Sequence, residues 1–163
     1  MKFRVDEYFR AGAERTRQAR MLHHAGGSYV LAMYGAGVAV ECILRAFRWS
    51  EDASFEGRHD SEDLLAASKL LQIDEEYLRA RRRPEREIAS YTRELRTAGS
   101  EVVSLWHNNL SFCPETSLRA HLNRMDRMRG IRGDAVKKNS RGMMEAAQLV
   151  VDRGITLWNS RKK

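Results

Sequence analysis

The sequence predicts an all-α protein, an antiparallel up-down bundle of five to six helices, and three observations predict it. Apolar residues recur at alternating three- and four-residue steps along several long segments, which is the period of one helix face. The 163 residues include only two prolines and no Asn-Gly or Asp-Gly pair, so a sheet of short, turn-linked strands is disfavoured. Charged residues make up 31% of the chain and are interleaved with the apolar period, as in amphipathic helices and not as in a disordered chain. The length suits one domain, residues 1–163, with a core of its own.

The first helix is expected from Val5 to Leu22 or His24, where Gly26-Gly27 stops it and Ser28 can cap the next. The second, Tyr29 to Trp49, is the most apolar element. Ala32, Gly35, Ala36 and Ala39 form a strip of small residues that admits a neighbouring helix backbone, while Met33, Val40, Ile43, Leu44 and Phe47 supply bulk. Glu41 and Arg45 stand one turn apart in the favourable order, acid first. Their charges, and the small residues around them, make the segment a core helix and not a membrane span. After a loop, Ser50–Arg58, a short helix capped by Asp60 or Ser61 is expected to end near Leu71, and Asp74-Glu75-Glu76 reads as another helix start.

Pro84 suits the first turn of a long helix whose stripe is Ile88, Tyr91, Leu95, Ala98, Val102 and Leu105. His107-Asn108-Asn109 breaks it. Past Cys113-Pro114, Thr116 or Ser117 is placed to cap a helix holding Leu118, Leu122, Met125 and Met128, which Gly130 and Gly133 interrupt. The last helix carries Met144, Ala147, Val151, Ile155 and Trp158 on one face.

The charge is uneven. Residues 1–70 are neutral overall, and the net +7 of the chain lies wholly in residues 71–163. Residues 119–141 hold Arg119, Arg124, Arg127, Arg129, Arg132, Lys137, Lys138 and Arg141 against two acids, and Arg79, Arg81, Arg82, Arg83 and Arg86 form a second cluster. Such clusters suit phosphate contacts that do not read sequence; they equally suit a solvated connector or an acidic protein partner. Cys42 and Cys113 have neither metal-site spacing nor the density of a disulfide framework, so reduced thiols, a cytoplasmic setting and no metal or other cofactor are expected. The charged opening segment, Met1–Arg20, has no signal-peptide pattern.

Two segments resemble the HEPN superfamily. Tyr29, Ala32, Ala39, Glu41, Leu44, Arg45 and Ala46 are similar to the pattern of its second helix. His59-Asp60-Ser61-Glu62-Asp63-Leu64 is similar to its His-Asp-Leu segment, with Ser61 where leucine is usual. Trp106 and the late Trp158 are also in place, but Ser111-Phe112 stands where relatives carry Arg-Tyr. The resemblance runs over about residues 8–159. It implies an antiparallel bundle, a homodimer, an RNA or nucleotide ligand, and a nucleotidyltransferase partner in toxin–antitoxin or defence systems.

The nuclease branch of that superfamily uses an Arg followed after four to six residues by His, arginine holding phosphate charge and histidine moving a proton. The motif is not found at its expected late position. Arg17 stands at that distance from His23 and His24, on the first helix; chance alone would supply such a match in this arginine-rich chain. Adjacent His23 and His24 cannot share one helix face as metal ligands do. A module that binds RNA or a nucleotide without cleaving it is therefore expected, with a metal-independent ribonuclease using Arg17 and His23 or His24 as the alternative. A ligand pocket of Glu41, Arg45 and His59 is implied by the resemblance, which would bring His59 to the second helix. The first reading of these three residues is a structural cluster that pins the start of the His-Asp helix, since buried charges need partners; a phosphate or nucleotide pocket with Arg45 and His59 as donors is the second.

Overall fold

The computed structural model describes residues 4–52, 55 and 61–161. Helix α2 (Tyr29–Glu51) is the axis of the fold. Ser28 caps it as its sequence predicts, its Oγ accepting from Leu31 N–H at 3.2 Å. By length and composition α2 is the one described helix that could cross a membrane, but 67% of its most apolar window is buried among its neighbours.

Helix α1 (Val5–His24) runs antiparallel to α2 after a tight turn at Gly26, whose φ of +65° only glycine adopts at low cost. The small-residue strip does what its composition suggests. A Cβ added to Gly35 would lie 3.3 Å from Ala19 Cβ, so the two backbones are nearly in contact there. Helix α7 (Ala135–Arg161) packs against both α1 and α2. Trp158 stacks on Phe9 of α1 and meets Phe47 of α2 edge-on, and its Nε1–H donates to Asp6 Oδ1 at 3.0 Å. At the other end His23 of α1 meets Ser140 of α7, so α1 and α7 are antiparallel.

Helix α5 (Glu85–Leu105) covers α7 in the opposite sense and completes an up-down set of four long helices, α1, α2, α5 and α7. Its stripe of Ile88, Leu95, Ala98, Val102 and Leu105 is buried as predicted, but Tyr91 is 43% exposed. Just past its end Trp106 lies in a notch of α2: a Cβ on Gly37 would fall 1.8 Å from the indole.

The shorter elements are α3 (Ser61–Ala67), α4 (Leu70–Ala80), a 3-10 turn (Asn108–Phe112) and α6 (Glu115–Arg124). Six helices thus have ten residues or more, all-α with no strand among the described residues. Several boundaries differ from expectation. The short helix expected to run to about Leu71 ends at Ala67. Asp74-Glu75-Glu76 does not start a helix; it lies inside α4, which begins after a break where Lys69 has φ +54°. Neither Thr116 nor Ser117 caps α6; they lie within its first turn, after Pro114. Met125 and Met128 lie past its end, because the chain turns through Asp126 at φ +55°. Gly130 and Gly133, with φ of +71° and +82°, lie in the connector between α6 and α7 and not in the helix they were expected to interrupt, which has already ended at Arg124.

Candidate nucleic-acid interface

The antiparallel pairing of α1 with α7 leaves two adjoining surface grooves between them, of about 380 and 320 Å³. Arg20, His24 and Gln148 wall both. The first continues past Arg17 over an apolar floor that includes Val151 and Ile155. The second continues to His23, Arg141 and Glu145. Helical spacing explains the gathering: Arg17, Arg20 and His24 recur at three and four residues on α1, and Arg141, Glu145 and Gln148 do so on α7. Arg20 Nη1 donates to Gln148 Oε1 at 3.4 Å, and Gln148 Nε2 to Asp152 Oδ1 at 2.7 Å. None of Arg17, Arg20, Lys137 or Arg141 forms an ion pair among the described residues.

Arg17, His23 and His24, the alternative catalytic set, are therefore brought to one groove system. His24 is exposed, whereas His23 is 4% exposed and places Nδ1 3.0 Å from Ser140 Oγ. Burial, then the positive charges of His24, Lys137 and Arg141, hold the His23 imidazole below its ordinary pKa, against the pull of Glu145.

The basic run of residues 119–141 divides. Arg119, Arg124, Arg132, Lys137, Lys138 and Arg141 are exposed. Arg129 is also exposed and lies 3.8 Å from Asp126. Arg127 differs: its guanidinium donates to both oxygens of Glu101, at 3.1 and 2.9 Å, and to Ser104 Oγ at 3.0 Å. Asn139 Nδ2 donates to Arg127 O at 2.9 Å, so this arginine ties the connector down to α5 and α7. In the second cluster Arg79 pairs with Glu75 and Glu85, Arg83 with Glu87, and Arg81 lies over the Tyr77 ring. That cluster sits where α5 begins, at the end of the bundle opposite residues 119–141.

Glu41 and Arg45 form the expected pair, Arg45 Nε to Glu41 Oε1 at 2.6 Å, with side chains 9% and 17% exposed. His59 and Asp60 lie outside the described residues. Burial, with the charge of Glu41, raises the thiol of Cys42 to about 11, so it is inert near neutral pH. Among the described residues no three His, Cys, Asp or Glu side chains are grouped to hold a metal ion.

Sequence reasoning missed one polar constellation. Asp74 is wholly buried and accepts from Arg153 Nε of α7. The Arg153 guanidinium lies 5.4 and 5.8 Å from the ring centres of Tyr77 and Tyr91. Burial raises the Asp74 carboxyl above its ordinary range, outweighing the opposite influence of Arg153. The available signal was position: Leu70, Ile73, Tyr77 and Leu78 define an apolar face, and Asp74 falls on it.

No family model, no curated protein and no solved structure matches this chain.

Proposed function

We propose that this chain is a HEPN-like helical module that holds the phosphate backbone of RNA without reading its sequence, along the α1–α7 grooves. The observation that carries the reading is the line of Arg17, Arg20, His24 and Arg141 along those grooves, none of the arginines tied to a carboxylate among the described residues. Arginine forks suit phosphate oxygens, and the apolar side chains of exposed Met21 and half-buried Ile155 in the same groove suit the face of an unstacked base. The resemblance in the second helix adds a homodimer, a nucleotidyltransferase-like partner, and a toxin–antitoxin or defence role in the cytoplasm. Those four points rest on the resemblance and on composition alone.

The test is fluorescence anisotropy of a labelled 12-nucleotide oligouridylate against salt. Four or five phosphate contacts to a single strand give a log–log slope of about −3, since each contributes about −0.7. Arg20→Ser with Arg141→Ser should flatten the slope by about 1.4 and weaken binding at every salt concentration. No anisotropy change at micromolar protein and low ionic strength removes the proposal.

A second reading is favoured by one observation, that Arg17 and His24 wall the same groove. It makes the site a metal-independent ribonuclease with His24 as the proton carrier. It requires that RNA be cut in the presence of a chelator and that His24→Ala abolish cutting.

A further inference from the structure

His23 is the groove residue that is turned into the bundle. Its ring stands 5.6 Å from the His24 ring and 5.3 Å from the Tyr29 ring, with Nδ1 against Ser140 Oγ. From α1 it is faced by His24, with Arg20 along the same groove; from α2 by Tyr29; from α7 by Lys137, Arg141 and Glu145. Cations thus outnumber the single carboxylate around a ring that is 4% exposed. In the empty groove this arrangement opposes a second proton on the ring, by burial and by like charge.

An anion in the groove reverses that balance. Phosphate oxygens seated on Arg20 and Arg141 cancel the positive field that His23 feels, and the low-dielectric setting strengthens their pull on an imidazolium. Ser140 Oγ accepts as well as donates, so it remains a partner for Nδ1 in either charge state of the ring. We propose that the α1–α7 groove takes up one proton from solvent at His23 when it binds a phosphate-bearing strand, so that its affinity is set by pH. This rests on the RNA-binding reading above and specifies how that site is regulated. By linkage, affinity then rises as pH falls, by at most about tenfold per pH unit between the midpoints of the free and bound states.

The experiment uses the full chain and 5′-hydroxyl oligouridylate, a strand whose phosphodiesters do not titrate near neutrality. Its affinity is measured by anisotropy at pH 8 and pH 6 at one ionic strength, for the wild type and for His23→Gln and His24→Gln. The expected result is binding about fivefold to tenfold tighter at pH 6 for the wild type; His24→Gln, which removes a groove residue, binds more weakly at both pH values but keeps the gain, and His23→Gln loses it. Equal affinity at the two pH values overturns the coupling and leaves RNA binding standing. Absence of binding at both overturns coupling and binding together. A gain that survives in His23→Gln also overturns it, whichever neighbour then takes the proton. Should His23→Gln not fold, histidine nitrogen resonances of the wild type decide the matter. The His23 midpoint must rise by about one unit or more when RNA is added, and an unmoved midpoint refutes the proposal.

Discussion

Replacing Arg153 with methionine removes the partner of a wholly buried carboxylate while keeping most of the packing against Tyr77 and Tyr91. Asp74 then has two courses. It stays charged without its guanidinium, or it takes a proton. Taking a proton at pH 7 costs about 4 kcal/mol for a carboxyl with an unfolded pKa of about 3.9, and this caps the penalty. Breaking a buried pair by deleting one member costs about 3–5 kcal/mol in general, which agrees. We expect a loss of about 4 kcal/mol at pH 7, or roughly 12 °C in melting temperature for a chain of this size.

The sign of the pH dependence follows. Without Arg153 the folded pKa of Asp74 rises well above its unfolded value, so between the two the native state binds more protons. Stability is then greatest at low pH and is lost as pH rises through the folded pKa. The wild type shows the same trend more weakly, since burial already raises this group. The difference between variant and wild type should therefore shrink from about 4 to about 2 kcal/mol on going from pH 7 to pH 5. Urea titrations at both values measure it. Asp74→Leu combined with Arg153→Met should regain most of the loss, because no charge is left stranded. A penalty that is the same at pH 5 and pH 7 would refute the assignment of the loss to a stranded carboxylate.

Two further outcomes follow from close contacts. Gly37→Ala puts a methyl 1.8 Å from the Trp106 indole, which is 7% exposed, so the ring must leave its notch. The expected loss is about 3 kcal/mol with a red shift in tryptophan emission, and Trp106→Leu should make the two changes strongly non-additive. Arg127→Ala frees the connector 125–134 from Glu101 at a cost of about 1 kcal/mol, since the pair is one-third exposed. Amide exchange should quicken in that connector while the salt slope of RNA binding stays unchanged; a flattened slope would move Arg127 into the interface.

The fold was legible because its signals are local and periodic. The burial of Ile88, Leu95 and Val102 and the Ser28 cap each follow from a window of a few residues. The small-residue strip of α2 marked a close helix approach, though nothing in it named α1 as the neighbour. What escaped was set by partners far along the chain. Asp74 was read as a helix start because acids favour first turns, and its partner Arg153 lies 79 residues away. Arg127 looked like its neighbours until Glu101 was placed beside it, 26 residues upstream. Arg17, Arg20 and His24 were visible as residues, but their meeting with Arg141 depends on the sense in which α7 returns along α1. That sense is not written in either helix.

The α1–α2 hairpin closes over a short turn, whereas His23 reaches Ser140 across 117 residues and Asp6 reaches Trp158 across 152. Contacts of such different range form under different entropic loads: the hairpin is cheap to close early, and the α1–α7 seam must wait until nearly all of the chain is in hand. The grooves are therefore products of the completed topology and not of any one segment. A nascent chain that has made α1 and α2 already displays Arg17, Arg20 and His24, but on a helix hairpin with no opposite wall. Detachment of α7 would remove one wall of both grooves, so the surface proposed to hold RNA and the α1–α7 seam open as one unit.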